Sequence, residues 1–133
     1  MKSFLPFAAI SGMLCVVLGA FGAHGLKPLL SQDLLAVYET AVRYQFYHTL
    51  ALIFVSLLYQ NNQSKWLIRS GWFFISGILI FSGSLYALSL SGIGNSEPLR
   101  WLGAITPFGG VCFILGWIFM FLGVKNSGAK FKI

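Results

Sequence analysis

Few side chains in this sequence could bind a ligand or take part in chemistry, and they occur in four separate stretches of an otherwise apolar chain. They are two histidines, one arginine, three tyrosines and two hydroxyl residues: His24, Arg43, Tyr44, Tyr47, His48, Ser84, Tyr86 and Thr106. Imidazole is the commonest metal ligand, a guanidinium group matches the geometry of phosphate, and tyrosine rings can line a lipid or quinone pocket. These residue types therefore allow a metal or haem site, an anion site or a site for an apolar ligand.

Each of these residues also has a purely structural interpretation. His24 and His48 can hydrogen-bond between helices and fix their packing, and their separation in the sequence is not a known metal-ligand spacing. Arg43 follows Glu39 by one helical turn, an arrangement that suits a surface ion pair. Tyrosines at the membrane surface are ordinary anchors. We therefore expect no cofactor, and a metal site at His24 and His48 is the weaker alternative.

The two cysteines do not point to chemistry either. Cys15 and Cys112 lie inside apolar stretches, too deep in the membrane to complete a metal site with the histidines. A free cysteine in such surroundings behaves as a small hydrophobe, so we expect two reduced thiols and no disulfide. The sequence shows no Ser-His-acid arrangement, no glycine-rich phosphate loop and no Cys-x-x-Cys motif. It therefore predicts a protein that is not an enzyme of the usual kinds.

Composition predicts the elements that carry these residues. The chain is 57% hydrophobic and 9% charged, with a mean hydropathy of +0.80, whereas about a quarter of the residues in a soluble domain are charged. One membrane-spanning helix takes roughly 20 apolar residues. Four such runs fit the chain, and we interpret the first as a helix although it resembles a signal peptide. We predict a single all-α integral membrane domain, an antiparallel bundle of four transmembrane helices at about 4–24, 32–60, 66–91 and 100–124.

The distribution of charge predicts the orientation of this bundle. Basic residues without acidic partners fall on the side of both termini: Lys2, Lys65, Arg69, Lys125, Lys130 and Lys132. The basic residues of the other side are matched in number by acidic ones: Lys27, Arg43 and Arg100 by Asp33, Glu39 and Glu97. Cytoplasmic loops carry an excess of Lys and Arg, so we expect both termini in the cytoplasm, beside anionic lipid. The basic residues form no patch, so we expect no nucleic-acid partner.

Glycines at regular spacing predict close helix packing, since small residues let helices approach where lipid provides no hydrophobic drive for association. The glycines assigned to packing are Gly12, Gly19, Gly22, Gly83, Gly109 and Gly116. Three of them follow one face of the first helix, so we expect that helix to be central. We also expect Gly25 to end it in a left-handed turn before Pro28, and Pro107 to kink or open the fourth helix.

With this topology, all the candidate residues fall near the outer end of the bundle. The inward face of the second helix is expected to run through Ala41, Tyr44 and His48 at helical spacing. Polar groups inside a membrane are costly unless they have partners. We therefore predict an outer polar cluster, open to the outer face and formed by His24, Arg43, Tyr44, Tyr47, His48, Ser84, Tyr86 and Thr106.

Four segments of the chain resemble a known family. They are Gly19-Ala20-Phe21-Gly22-Ala23-His24-Gly25-Leu26, Tyr47-His48-Thr49-Leu50-Ala51-Leu52, Phe81-Ser82-Gly83-Ser84-Leu85-Tyr86 and Thr106-Pro107-Phe108-Gly109-Gly110, with Gly116-Trp117 after them. In this order they resemble the domain of unknown function 423 family, or transmembrane protein 256-like proteins. The resemblance covers nearly the whole chain. It implies a small bacterial inner-membrane protein with four helices, whose activity is unassigned.

Two functional hypotheses follow from the sequence. The first is a non-enzymatic protein that binds a membrane lipid, an apolar small molecule or a partner membrane protein through the outer polar cluster. The second is a metal- or haem-linked redox protein that uses His24 and His48. A transporter or channel is a weaker third, because no charged residue lies at the membrane midplane to mark an ion path. The glycine faces serve contacts within a chain as well as between chains, so the sequence leaves the oligomeric state open.

Overall fold

Four antiparallel helices form the described part of the chain. The computed structural model describes residues 4–126, and of Asn95 it describes the backbone alone. Within that range, four helices are long and apolar enough to cross a membrane: α1 (Leu5–Leu26), α2 (Gln32–Asn61), α3 (Lys65–Leu90) and α4 (Arg100–Lys125). This architecture confirms the predicted all-α class with four membrane-spanning helices. Three of the basic residues used to predict the orientation lie outside the described residues: Lys2, Lys130 and Lys132.

Serine side chains begin the two middle helices. Ser31 accepts a hydrogen bond from the backbone N–H of Leu34 at 3.3 Å, and Ser64 accepts one from Trp66 at 3.2 Å. These caps satisfy amide groups that have no partner within the helix. At a rise of about 1.5 Å per residue, the 30 residues of α2 exceed the roughly 30 Å of hydrocarbon. α2 is therefore longer than the hydrocarbon is thick.

Two predicted helix irregularities take a different form in the structure. The first helix does not end in a left-handed glycine, because Gly22–Leu26 form one π-helical turn. Among the described glycines, only Gly94, in the connection between α3 and α4, has a positive φ, of 71°. Pro107 lies at the start of an α-helical segment that follows the 3₁₀ turn Arg100–Ala104. Proline costs no hydrogen bond at that position, so it begins the α-helix instead of kinking it.

The prediction that the first helix is central is wrong. In the most apolar stretch of each helix, 44% of the residues of α2 and of α3 are buried, against 22% for α1 and 17% for α4. The small residues of α1 occupy one face, which packs on α2, while its other faces carry large apolar side chains such as Met13, Val16 and Phe21 that stay exposed. Glycine spacing predicts a packing face, but it does not determine how many neighbours a helix has.

Glycines on α1, α3 and α4 provide flat surfaces for the rings or backbone of neighbouring segments. At five of these glycines an added Cβ atom would collide with the neighbouring residue. The contacts are Gly22 with Tyr38, Gly71 with Phe4, Gly77 with Phe113, Gly116 with Phe74, and Gly109 with the backbone of Phe81. Phe81 belongs to a second π-helical turn, Ile78–Ser82 in α3. The other predicted packing glycines have more room, since Gly12 and Gly19 allow ordinary contacts and Gly83 faces open space.

Replacing Gly109 by alanine tests whether this close approach holds α3 and α4 together. The new methyl group would overlap the Phe81 backbone, which cannot rotate away, so Gly109→Ala should lower the free energy of unfolding by about 1–3 kcal/mol. Gly83→Ala is the matched control, because open space surrounds Gly83 and alanine favours the helix by about 0.5–1 kcal/mol. Unfolding by SDS in mild detergent, followed by circular dichroism, measures both. Equal midpoints for Gly109→Ala and wild type would contradict this packing.

Candidate ligand-binding site

A buried polar layer joins the first three helices between two apolar clusters. The hydroxyls of Ser11 and Thr49 are 2.7 Å apart, and the Gln45 amide N–H group donates to the Ser11 carbonyl oxygen at 3.2 Å. The Tyr86 hydroxyl donates to Gln45 Oε1 at 2.7 Å. Ser11, Gln45 and Thr49 are buried. These bonds link α1, α2 and α3, and they satisfy an amide group that would be costly to leave unpaired in lipid.

Tyr38 closes the polar layer on its outer side. Its hydroxyl donates to the Leu18 carbonyl oxygen at 2.7 Å, and its ring meets Tyr86 edge-on with centroids 5.2 Å apart. Tyr38 also packs in an outer apolar cluster with Leu26 and Leu30. The predicted polar cluster did not include Tyr38, Gln45, Ser11 or Thr49. A glutamine in the middle of a membrane-spanning stretch was the available signal, because its amide needs partners.

Both ring nitrogens of His48 are hydrogen-bonded, one within α2 and one to α4. The Tyr44 carbonyl oxygen can only accept, so Nδ1–H donates to it at 2.7 Å, and Trp117 Nε1–H donates to Nε2 at 3.3 Å. These bonds fix the neutral tautomer with a proton on Nδ1. The imidazole is buried and stacks on Phe113, with centroids 3.5 Å apart and planes at 6°. His48 therefore cannot ligate a metal without giving up one of these bonds.

His24 lies apart from His48. It is exposed in the last turn of α1, and its side chain makes no hydrogen bond or ring contact within residues 4–126. The same range contains no group of three His, Cys, Asp or Glu side chains that could hold a metal ion. Cys15 and Cys112 are free thiols on different helices, as expected. The geometry therefore does not bring the two histidines into one metal site.

Hydroxyl and aromatic contacts join α3 to its neighbours. Ser84 Oγ and Thr106 Oγ1 are 2.7 Å apart, which links the last part of α3 to the start of α4. Ser84 also donates to the Phe81 carbonyl oxygen of its own helix at 2.9 Å. The Tyr44 ring stacks on Phe81 with centroids 4.7 Å apart, whereas Tyr47 remains about half exposed. The Ser84–Thr106 bond connects α3 to α4, and the Tyr44–Phe81 contact connects α2 to α3.

The predicted outer polar cluster is divided because adjacent residues of a helix point about 100° apart at 3.6 residues per turn. Arg43 faces a groove beside α1, Tyr44 contacts α3, and Gln45 points into the polar layer. At Tyr44 and Gln45, the predicted inward face of α2 therefore differs from the observed one by a rotation of about one residue. The predicted site residues occupy four places: Arg43 on the groove, Tyr86 in the polar layer, Tyr44, His48, Ser84 and Thr106 between α2, α3 and α4, and His24 and Tyr47 on the exposed surface.

The groove between α1 and α2 has a volume of about 400 Å³. Its lining is small or apolar except for two charged residues: Cys15, Val16, Gly19, Gly22, Ala23, Tyr38, Glu39, Val42, Arg43 and Phe46. Glu39 and Arg43 are both exposed, and they form no ion pair within 4 Å although they are one turn apart. The groove therefore combines room for an apolar chain with two separate charges at its outer part.

A second, larger cleft lies between the two outer connections. Its volume is about 740 Å³, and its lining mixes polar and apolar residues: Pro28, Leu29, Leu30, Ser31, Asp33, Leu34, Val37, Leu88, Gly92, Ser96, Pro98 and Arg100. Asp33 and Arg100 are exposed there. Seven of its twelve lining residues belong to connecting segments, whereas helical residues form the whole lining of the groove.

Replacing Tyr86 by phenylalanine tests the polar layer. Tyr86→Phe removes the hydroxyl that donates to Gln45 and should lower the free energy of unfolding by about 1 kcal/mol. Tyr47→Phe is the control, because the Tyr47 hydroxyl makes no hydrogen bond within residues 4–126. SDS unfolding of both variants measures the difference. If the two variants lose equal stability, the hydrogen bond to Gln45 contributes nothing.

Comparison with known proteins gives the family of the chain. A family model described as "Protein of unknown function (DUF423)" matches residues 18–110. The chain is 43% identical over 122 residues to a UPF0382 membrane protein of Staphylococcus aureus (strain bovine RF122 / ET3-1), covering 92% of this chain and 94% of the relative. It is 44% identical over 119 residues to the UPF0382 membrane protein YwdK of Bacillus subtilis (strain 168), covering 89% and 92%.

A relative from a further organism is similar over nearly the full length. The UPF0382 inner membrane protein YgdD of Escherichia coli (strain K12) is 42% identical over 132 residues, covering 97% of this chain and 96% of the relative. No solved structure is significantly similar to the chain. These matches confirm the resemblance found in the four sequence segments. The chain belongs to the DUF423 family, and it is a membrane protein of a family whose function is unknown.

Proposed function

We propose that this protein is a non-enzymatic binder of a membrane phospholipid, one acyl chain of which occupies the groove between α1 and α2. The observation that carries the proposal is the groove itself. Its volume of about 400 Å³ falls within the range of roughly 300–1,000 Å³ that is typical of small-molecule sites. Its lining is apolar except at Glu39 and Arg43. An amphiphile matches that division between apolar and charged surface.

The depth of the groove supports a lipid as its occupant. From Cys15 to Ala23 it follows α1 for eight residues, or about 12 Å at the rise of an α-helix. Its deeper end lies at Cys15 and Phe46, and its outer end lies at Ala23 and Glu39. Exposed Val16 and Phe46 line it on the two helices. An acyl chain that enters beside these side chains lies in apolar surroundings from Phe46 outward as far as Arg43.

The two helices that form the groove meet at its floor. A Cβ atom added to Gly19 would lie 3.6 Å from Val42 Cγ1, so the space between the helices there admits little more than one methyl group. A helix with its side chains is about 10–12 Å in diameter, whereas an acyl chain is one methylene wide. A phospholipid therefore suits the groove better than a partner membrane protein, which was the other occupant expected from the sequence.

The redox alternative has no comparable support. Both ring nitrogens of His48 are engaged, by Tyr44 and Trp117, and His24 lies on the exposed surface away from it. Among the residues that the structure describes, we find no nucleophile held by a base and an acid in the manner of a hydrolase. These features favour binding over catalysis and favour a role without a metal or haem.

We also propose that the protein lies in the bacterial inner membrane with both termini in the cytoplasm. Lys65, Arg69 and Lys125 occupy one end of the bundle, and an excess of basic residues marks cytoplasmic loops. The Escherichia coli relative is named an inner membrane protein. Four spans put the two termini on one side, so the basic end and the termini coincide.

Filling the groove tests the proposed function. Gly19→Leu and Ala23→Leu place an isobutyl group among the lining residues, and Gly83→Leu adds the same group to a position with open space outside the groove. Native mass spectrometry of protein extracted in mild detergent measures the bound lipid. We expect wild type and Gly83→Leu to carry a phospholipid, and both groove variants to lose it.

Two results would overturn this proposal. One is wild-type protein without any bound phospholipid, and the other is groove variants that carry as much lipid as Gly83→Leu. Circular dichroism checks that each variant is helical. If Gly19→Leu does not fold, Ala23→Leu still decides, because Ala23 is exposed at the outer end of the groove.

Fusion proteins test the orientation. Green fluorescent protein joined to the C-terminus should fluoresce, because it folds in the cytoplasm, and alkaline phosphatase at the same position should be inactive. Alkaline phosphatase inserted after Gly94, in the connection between α3 and α4, should be active. The opposite pattern at the two positions would reverse the proposed topology.

A further inference from the structure

We infer that the charged end of the groove selects a zwitterionic phospholipid with a primary ammonium group, whose phosphate binds Arg43 and whose ammonium binds Glu39. This inference rests on the proposed function and adds the class of headgroup. Glu39 and Arg43 are the two charged residues of the groove lining. They lie on one face of α2, four residues apart, with Cβ atoms typically about 5–6 Å from each other at that spacing.

Both charges are available to a ligand. The two side chains are exposed, and no ion pair joins them within 4 Å. At this spacing an acid followed by a base commonly forms such a pair. In a membrane, where charged groups need partners, a ligand that carries both a positive and a negative group would satisfy the two side chains together.

The order of the charges along α2 matches the order of groups in a phospholipid. The deep end of the groove lies at Phe46, Arg43 is one turn further out, and Glu39 is another turn further out. In a phospholipid the acyl chain is followed by the glycerol, then the phosphate and finally the amine. A chain that lies against Phe46 therefore brings its phosphate to Arg43 and its ammonium to Glu39.

The chemistry of the two side chains narrows the headgroup further. A guanidinium group can donate two parallel hydrogen bonds to a phosphate. A carboxylate accepts hydrogen bonds from a primary ammonium, whereas the quaternary ammonium of choline has no N–H to donate. An anionic headgroup such as phosphatidylglycerol would satisfy Arg43, but it has no ammonium group to offset the charge of Glu39. Phosphatidylethanolamine is the common phospholipid that fits both side chains.

Lipid competition tests this assignment. Wild-type protein is reconstituted into vesicles with equal amounts of phosphatidylethanolamine, phosphatidylcholine and phosphatidylglycerol, extracted, and analysed by native mass spectrometry. We expect phosphatidylethanolamine to be enriched about tenfold over each competitor, the factor expected when one charge-assisted hydrogen bond is lost. Glu39→Gln should abolish the discrimination against phosphatidylglycerol, and Arg43→Gln should reduce all bound phospholipid.

An exchange variant separates the order of the charges from their presence. The double substitution Glu39→Arg with Arg43→Glu keeps both charges in the groove but reverses their order along α2. We expect it to lose the preference for phosphatidylethanolamine. Asp33→Asn with Arg100→Gln is the control, because these exposed residues line the other cleft and should leave the preference unchanged.

The outcomes separate the headgroup inference from the proposed function. If wild type binds the three lipids equally while Ala23→Leu still removes them, the groove binds lipid and the headgroup inference is wrong. Equal binding of phosphatidylcholine and phosphatidylethanolamine would overturn the hydrogen bond to Glu39. An exchange variant with unchanged preference would overturn the assigned order. If the amount of bound lipid does not depend on the groove at all, the proposed function is wrong, and the headgroup inference is wrong with it.

Discussion

The structure depends on one constraint: within lipid, each polar side chain must find its partner in the protein. Gln45 lies in the middle of α2 with an amide group that both donates and accepts, and the fold meets this need from two sides, with Ser11 on α1 and Tyr86 on α3. No buried side-chain nitrogen or oxygen among residues 4–126 lacks a hydrogen-bond partner. The rotation of α2 about its axis follows from this requirement, since another rotation would turn the amide toward lipid.

Close approach of the backbones makes these hydrogen bonds possible. Several of them end on main-chain carbonyl oxygens of a neighbouring helix, as when Ser82 donates to Ala41 at 2.8 Å and Ser70 donates to Gly116 at 2.7 Å. Side chains as short as serine reach that far only where helices nearly touch, and glycines such as Gly109 allow it. Small residues and hydroxyl groups therefore act together, as is common where lipid provides no hydrophobic drive for helix association.

The groove beside α1 differs from this well-satisfied interior. Its charged residues, Glu39 and Arg43, form no ion pair with each other, although the polar side chains of the interior are paired. Of the two helices that form the groove, α1 is the less buried. Its small face contacts α2 over part of its length, with Gly22 against the Tyr38 ring, and the groove remains open beside Gly19 and Ala23. A lipid chain in that space would extend the packing of α1.

The sequence by itself determined the class, the four spans and the asymmetry of charge between the two ends of the bundle, because length, hydropathy and charge are local properties of each segment. It also indicated that Ser84, Tyr86 and Thr106 need partners, since hydroxyl groups in lipid are costly. Only the tertiary structure decided which face of α2 points inward. Two spacings on α2 are compatible with an inward helical face. One runs from Ala41 through Tyr44 to His48, and the other runs from Tyr38 through Ala41 to Gln45. They differ by a rotation of about one residue, and contacts with Ser11 on another helix select between them. The groove likewise depends on the distance between α1 and α2, which no segment encodes alone.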